Sequence, residues 1–217
     1  MNSRVVNVLF AAIAFVVVLL AGCATTQPVP EMNQPQSSAL AIDILVKPPM
    51  GIGSHDPERV YFVRIAGTDD LKQQATVRSN YVKGSRAYLF NVRPGTYVAV
   101  ASMFRTPGLQ TGAYMTYFPR NVLEQTRVTV HEGELAFMGQ YVLGTSVGLD
   151  GADEVQTYYK NVIAPGEASG LLSMAFSGSV HYRGSLLEHK ADEQTRRAFL
   201  QQAKDDLAGS GWVTFLK

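Results

Sequence analysis

The sequence predicts a mainly β fold, an antiparallel β-sandwich with one C-terminal α-helix packed on it. Three observations lead there. Short apolar or alternating runs succeed one another from residue 40 to residue 143, with turn residues about every ten positions. No helical period separates them, which argues against a parallel βαβ sheet. A strong helical period appears only late, over residues 192–207.

The strands follow in order. Leu40, Ile42, Ile44 and Val46 alternate with Ala41, Asp43 and Leu45, the period of a half-buried strand, and Pro48-Pro49 ends it. Residues 59–65 are dense in β-branched and aromatic types. Residues 76–82 and 86–92 flank Lys83-Gly84 at hairpin spacing. Arg93-Pro94-Gly95 is a turn signal, and residues 96–104 follow as a strand. A short aromatic run covers 114–118, an alternating run 125–130, and a turn at His131-Glu132-Gly133 leads into a strand over 135–143.

Residues 144–170 hold five glycines and read as a long loop, and residues 171–182 as one or two further strands. In the helix, Phe199, Leu200, Ala203 and Leu207 share a face. Asp192–Arg196 and Glu193–Arg197 are acidic-before-basic pairs at helical spacing. Gly209 and Gly211 stop the helix, and the apolar Trp212–Leu216 tail is expected to dock on the sheet.

The N-terminus carries a different signal. Arg4 precedes an apolar run over residues 5–20, broken only by Asn7, and the small residues Ala21 and Gly22 follow. This is the order of a secretory signal peptide. The run is shorter than the roughly 20 apolar residues of a membrane span, and no basic stop-transfer cluster follows it. Leu20-Ala21-Gly22-Cys23, with the only cysteine of the chain, resembles the bacterial lipobox. The resemblance implies that a signal peptidase recognises Leu20, Ala21 and Gly22 and cuts before Cys23. It also implies that the Cys23 thiol carries a diacylglycerol, so that the protein is a membrane-anchored lipoprotein. Ala24 rather than Asp follows the cysteine, which by the same resemblance implies the outer membrane, and the periplasmic side is the expected location of the domain.

The expected organisation is a signal peptide at 1–22, a flexible tether at 23–38, a β-sandwich domain at 39–186, and a C-terminal helix and docking tail at 187–217. Residues 24–38 contain three prolines, one charge and no aromatic residue, too little apolar surface to offset ordering. Removing residues 1–22 leaves 195 residues with 18 basic and 18 acidic side chains. A neutral chain has no overall field to attract nucleic acid, and no nucleotide-binding motif occurs. The expected partners are therefore the membrane, through Cys23, and an envelope protein or glycan, with no nucleic acid.

Asn91-Val92-Arg93-Pro94-Gly95-Thr96-Tyr97 is similar to a phrase of prealbumin-like (transthyretin-like) β-sandwich modules, some of them in exported bacterial lipoproteins of unknown function. In those modules the Pro-Gly makes a tight hairpin and the Tyr packs or bonds at the sandwich edge. A C-terminal helix with a docking tail also recurs there. The resemblance implies fold and not activity.

The residues that carry chemistry form no coherent catalytic set. Gly144-Thr145-Ser146-Val147-Gly148 matches the nucleophile elbow of serine hydrolases, with Asp150, His181 and His189 downstream. An elbow must open a helix, whereas Leu149-Asp150-Gly151 reads as a turn. His55, His131, His181 and His189 lack metal-ligand spacing, and Asp150, Asp153 and Glu154 lack that of a calcium loop. No cofactor or metal is expected, and the chain is read as no enzyme. Tyr114, Tyr117, Tyr158 and Tyr159 are the candidate ligand or partner surface, because tyrosines at sheet ends stack on sugar rings.

Overall fold

The computed structural model describes residues 27–48, 53–66, 76–105, 113–146 and 179–216. The signal and lipobox residues up to Cys23 and the tyrosines Tyr158 and Tyr159 lie outside them.

Strand β1 (Ser38–Lys47) sets the logic of the sheet. Its alternation sends Leu40, Ile42 and Ile44 to the main core, and Ala39 and Ala41 to a second core on the opposite face. Its neighbour β5 (Arg86–Val92) divides in the same way, Ala87 and Leu89 against Tyr88 and Phe90. On the other side lies β9 (Leu135–Ser146). Here a bulge sets two residues of β9, Met138 and Gly139, against the single residue Ile42 of β1, between the pairs Ala41–Phe137 and Asp43–Gln140. Gly139 occupies it with φ +115°, a conformation closed to residues with a Cβ. The bulge switches the parity of β9. Ala136 and Met138 face the main core before it, Tyr141 and Leu143 after it.

The remaining strands are β2 (Arg59–Ala66), β3 (Thr76–Arg78), β4 (Tyr81–Lys83), β6 (Gly95–Arg105), β7 (Ala113–Tyr117), β8 (Val128–Val130) and β10 (Ser179–Lys190). They join in the order β3-β2-β6-β7-β10-β9-β1-β5-β4, with β8 on β6. The fold is mainly β, as expected, but not antiparallel throughout. The strands form one mixed sheet curled into a half-barrel, in which β1–β9 and β7–β10 are parallel. The first and last strands of the path, β3 and β4, are neighbours in sequence, separated only by Ser79-Asn80. Ser79 bonds Val60 on β2 through its backbone N–H and its Oγ, and the Asn80 side chain bonds both backbone groups of Phe90 on β5. Two residues thus join the ends of the sheet.

The Arg93-Pro94-Gly95 turn is also not a hairpin here. It carries the chain from β5 to β6, which are unpaired, so it crosses between two regions of the sheet. The Tyr97 hydroxyl ties it down by donating to the Arg93 carbonyl at 2.8 Å. The expected hairpin around Gly84 forms between β4 and β5, with Gly84 at φ +56°.

Helix α1 (Arg120–Gln125) falls beside a run read as strand. Pro119 precedes it with φ −68°, already suited to helix entry. Buried Thr126 closes it, its Oγ1 contacting the backbone of both Leu123 and Ala99. Helix α2 (Glu193–Asp206) begins where expected. Asp192, however, caps it by accepting from Thr195 N at 2.7 Å rather than pairing with Arg196. Glu193 does pair with Arg197, at 3.1 Å.

Helix α2 crosses the outer face of β9, β1, β5 and β4, and Phe199 stacks on Phe137 at 4.0 Å. A 3-10 helix (Gly211–Phe215) then buries Trp212 against Phe90, at 4.6 Å between ring centroids. Full burial of an aromatic side chain contributes about 1.5–3 kcal/mol, so this second core binds the C-terminal segment firmly. The boundary expected at 186/187 falls inside β10, which runs on to Lys190.

The described part of the expected tether, residues 27–37, lies against this same face. Trp212 Nε1 donates to the Pro30 carbonyl at 2.7 Å. Asn91, at φ +60°, accepts from Asn33 N at 2.9 Å and donates to the Glu31 carbonyl at 2.8 Å. Val29 and Met32 pack into the second core. Composition hid this, because the segment borrows apolar surface and polar partners from residues far away in sequence.

Candidate functional site

Two of the expected surface tyrosines can be placed. Tyr114 and Tyr117 are three apart on β7, so they point to opposite faces. Tyr114 is half-buried and stacks between Phe104, at 5.3 Å, and Tyr182, at 6.1 Å. His55 extends the row by stacking on Phe104 at 4.3 Å. Tyr117 is buried, and its hydroxyl is 2.9 Å from Nδ1 of His181. Burial pushes the Tyr117 phenol well up and the His181 imidazole down, so both are neutral. The two tyrosines therefore form no common surface.

Ser146 ends β9, and its hydroxyl donates to the Arg183 carbonyl at 3.3 Å. No described histidine hydrogen-bonds it, so among the described residues it has no base to activate it. Asp150, Asp153 and Glu154 lie outside the described residues. His131 is exposed in a turn, and His189 stacks on Tyr141 at 4.6 Å. Among the described residues no group of three His, Cys, Asp or Glu side chains is placed to hold a metal ion.

Helix α2 creates a site that the residue pattern did not reveal. Between its first turns and the strands lies a cleft of about 350 Å3, at the small end of ligand-binding pockets. Its strand wall carries Asp43, Gln140 and Lys190, and its helix wall Asp192, Thr195 and Gln202, with Phe199 in the lining. Asp43 stands on the outer face of β1, in line with Ala39 and Ala41, and only 7% of it is exposed. The Gly139 bulge brings Gln140 beside it, and Gln140 Nε2 donates to Asp43 Oδ2 at 2.9 Å.

The polar groups of the cleft are partly committed. The Gln202 side-chain oxygen accepts from Arg86 Nη1 at 2.8 Å, which leaves its amide N–H groups available. The Asp192 carboxylate is held low, chiefly by the Thr195 backbone N–H. The cleft therefore offers acceptors on Asp43, Gln140 and Asp192. Donors are provided by Lys190, Thr195 and Gln202. Such an alternation suits a small ligand carrying several hydroxyl or amide groups.

No family model, no curated protein and no solved structure matches the chain. The only warning of the cleft in the sequence was Asp43, a charge inside an otherwise apolar strand.

Proposed function

We propose that this chain is an exported lipoprotein, anchored by lipid on Cys23 at the periplasmic side of the outer membrane, whose folded domain binds rather than catalyses. Leu20-Ala21-Gly22-Cys23 behind an apolar run is the observation that carries the anchoring. Two or more acyl chains on one residue suffice for stable attachment. Replacing Cys23 by Ser is expected to abolish lipid labelling and release the chain from membranes. Retention of both would overturn the anchoring.

We also place the chain with prealbumin-like modules. The Tyr97 bond to the Arg93 carbonyl supports this kinship, whereas the Arg93-Pro94-Gly95 crossover departs from the hairpin of those modules. A two-layer β-sandwich with helix α2 laid on one layer is the finer architecture it implies.

The ligand reading is a saccharide unit or similar hydroxyl-rich molecule from the envelope, taken up in the cleft at Asp43. The alternating donors and acceptors and the buried carboxylate favour it over a recognition surface built on tyrosines. In calorimetric titration with N-acetylhexosamine oligosaccharides, the native chain should bind and Asp43→Asn should bind at least about tenfold more weakly, an effect of one lost charged hydrogen bond. Equal affinity of the two would remove the cleft from this role.

A further inference from the structure

We infer that the docked N-terminal segment holds the domain close to the bilayer in one orientation, with the Ser79-Asn80 corner towards the lipid and strand β10 away from it. The inference rests on the lipid anchor proposed above.

Residues 27–37 are fastened at successive points. Gln27 Nε2 donates to the Asn80 carbonyl at 2.7 Å, beside the corner. Trp212 holds Pro30, and Asn91 holds Glu31 and Asn33. Met32 lies so close over Gly211 that a Cβ there would stand 2.6 Å from its Cε. Gly133 N donates to the Gln36 carbonyl at 3.1 Å, just before β1 begins. The segment is a strap, and it adds no slack between lipid and domain.

Only residues 23–26 then separate the lipid from Gln27. Fully extended, they span about 14 Å. A folded chain of the mature length has a radius of gyration of about 16 Å. The attachment point of the lipid therefore lies within roughly one domain radius of Gln27, whatever path these four residues take. Gln27 sits at the corner where the two ends of the strand path meet. Strand β10 is the middle strand of that path, so the curl of the sheet puts it on the far side.

Charge does not produce this orientation. The exposed charges on the two corner strands, Arg78 and Lys83, number two, with Glu31 of opposite sign on the strap, unlike the basic clusters of about four to eight that bind anionic lipid.

The test uses the full lipidated chain in phosphatidylcholine vesicles. Cys23 is the only cysteine and its thiol is blocked by the lipid, so an introduced thiol labels uniquely. Arg78→Cys at the corner and Leu187→Cys on β10 replace exposed residues. Each is labelled with a donor fluorophore, and energy transfer to a headgroup-labelled lipid is read. Transfer from position 78 should be at least twice that from position 187. Inserting twenty Gly/Ser residues between Thr26 and Gln27 should erase the difference. Equal or reversed transfer in the parent chain, or a difference that survives the insertion, would overturn the orientation. Flotation of the vesicles and the mass of the N-terminal peptide separate the two readings. A chain without lipid that does not float overturns the anchor and the orientation together, whereas one that floats with equal transfer overturns the orientation alone.

Discussion

The Tyr88 hydroxyl donates to Oδ2 of Asp206 at 2.6 Å, on a carboxylate that Arg86 already grips through Nε at 2.5 Å and Nη2 at 2.9 Å. Asp206 is the last residue of α2, and Tyr81 adds a bond to its carbonyl at 3.0 Å. The side chains of the pair are 18% and 4% exposed, so water replaces little of this cluster. Asp206→Ala strands Arg86 and Tyr88 together, and the loss of one partner of a buried pair costs about 3–5 kcal/mol. Tyr88→Phe removes a single charged hydrogen bond, about 1.5–3 kcal/mol. Urea unfolding of both variants checks the order. An Asp206→Ala chain as stable as the parent would show that the latch is dispensable.

The neutral His181 predicts a stability that weakens in acid. Burial lowers its pKa below the ordinary 6.5, so on acidification the unfolded chain takes up the proton first. Nothing is contributed above that value. As pH falls below about 6.5, stability drops until the folded histidine titrates as well. Stability of the parent and of His181→Gln, measured between pH 8 and pH 4, should diverge only in the lower half. A proton NMR titration of the ring should give a value under 6.5.

Gly139 makes a backbone prediction. Its φ of +115° lies outside the regions open to other residues, and a Cβ there would stand 3.2 Å from the Lys190 carbonyl. Gly139→Ala should therefore cost about 1–3 kcal/mol. Because the bulge positions Gln140 beside Asp43, the same change should weaken ligand uptake in the cleft. Thermal unfolding and calorimetric titration read the two effects separately.

Trp212→Phe is a cleaner probe of the strap. It keeps a ring against Phe90 and deletes the bond to Pro30. The expected cost is about 1 kcal/mol, one neutral hydrogen bond. Amide hydrogen exchange should speed up at residues 31–37 well before the β1 amides change. Uniform acceleration across both would mean that the strap and the strand open as one unit.

How much of this was legible varied with the range of the forces involved. The strand over 96–104, the alternation of β1 and the helical face holding Phe199 and Ala203 are local and legible in the sequence. Strand β1 is, however, buried on both faces rather than half-buried, because a second core covers its outer side. The opposite faces of Tyr114 and Tyr117 were also written in their spacing, which favours two faces over one surface. The parallel pairing of β1 with β9 was not legible, because Leu40 and Ala136 stand 96 positions apart and either direction would satisfy the alternation. Docking of residues 27–37 was hidden for a related reason. A proline-rich segment without a core of its own can still lie on one supplied by Trp212, Phe90 and Phe137. The cleft needed α2 to cross β1 at Asp43, a tertiary event that no window of sequence contains.

The place of β9 and β10 has a consequence for assembly. Residues up to 130 lay down two groups of strands, β1-β5-β4 and β3-β2-β6-β7 with β8, hinged at Ser79-Asn80. The late pair β9–β10 is the keystone that fills the gap between β1 and β7. Until it arrives, both of those strands present bare edges, ready to pair with another copy. A chain that stalls or is cut before residue 135 is therefore a template for aggregation rather than a smaller stable domain.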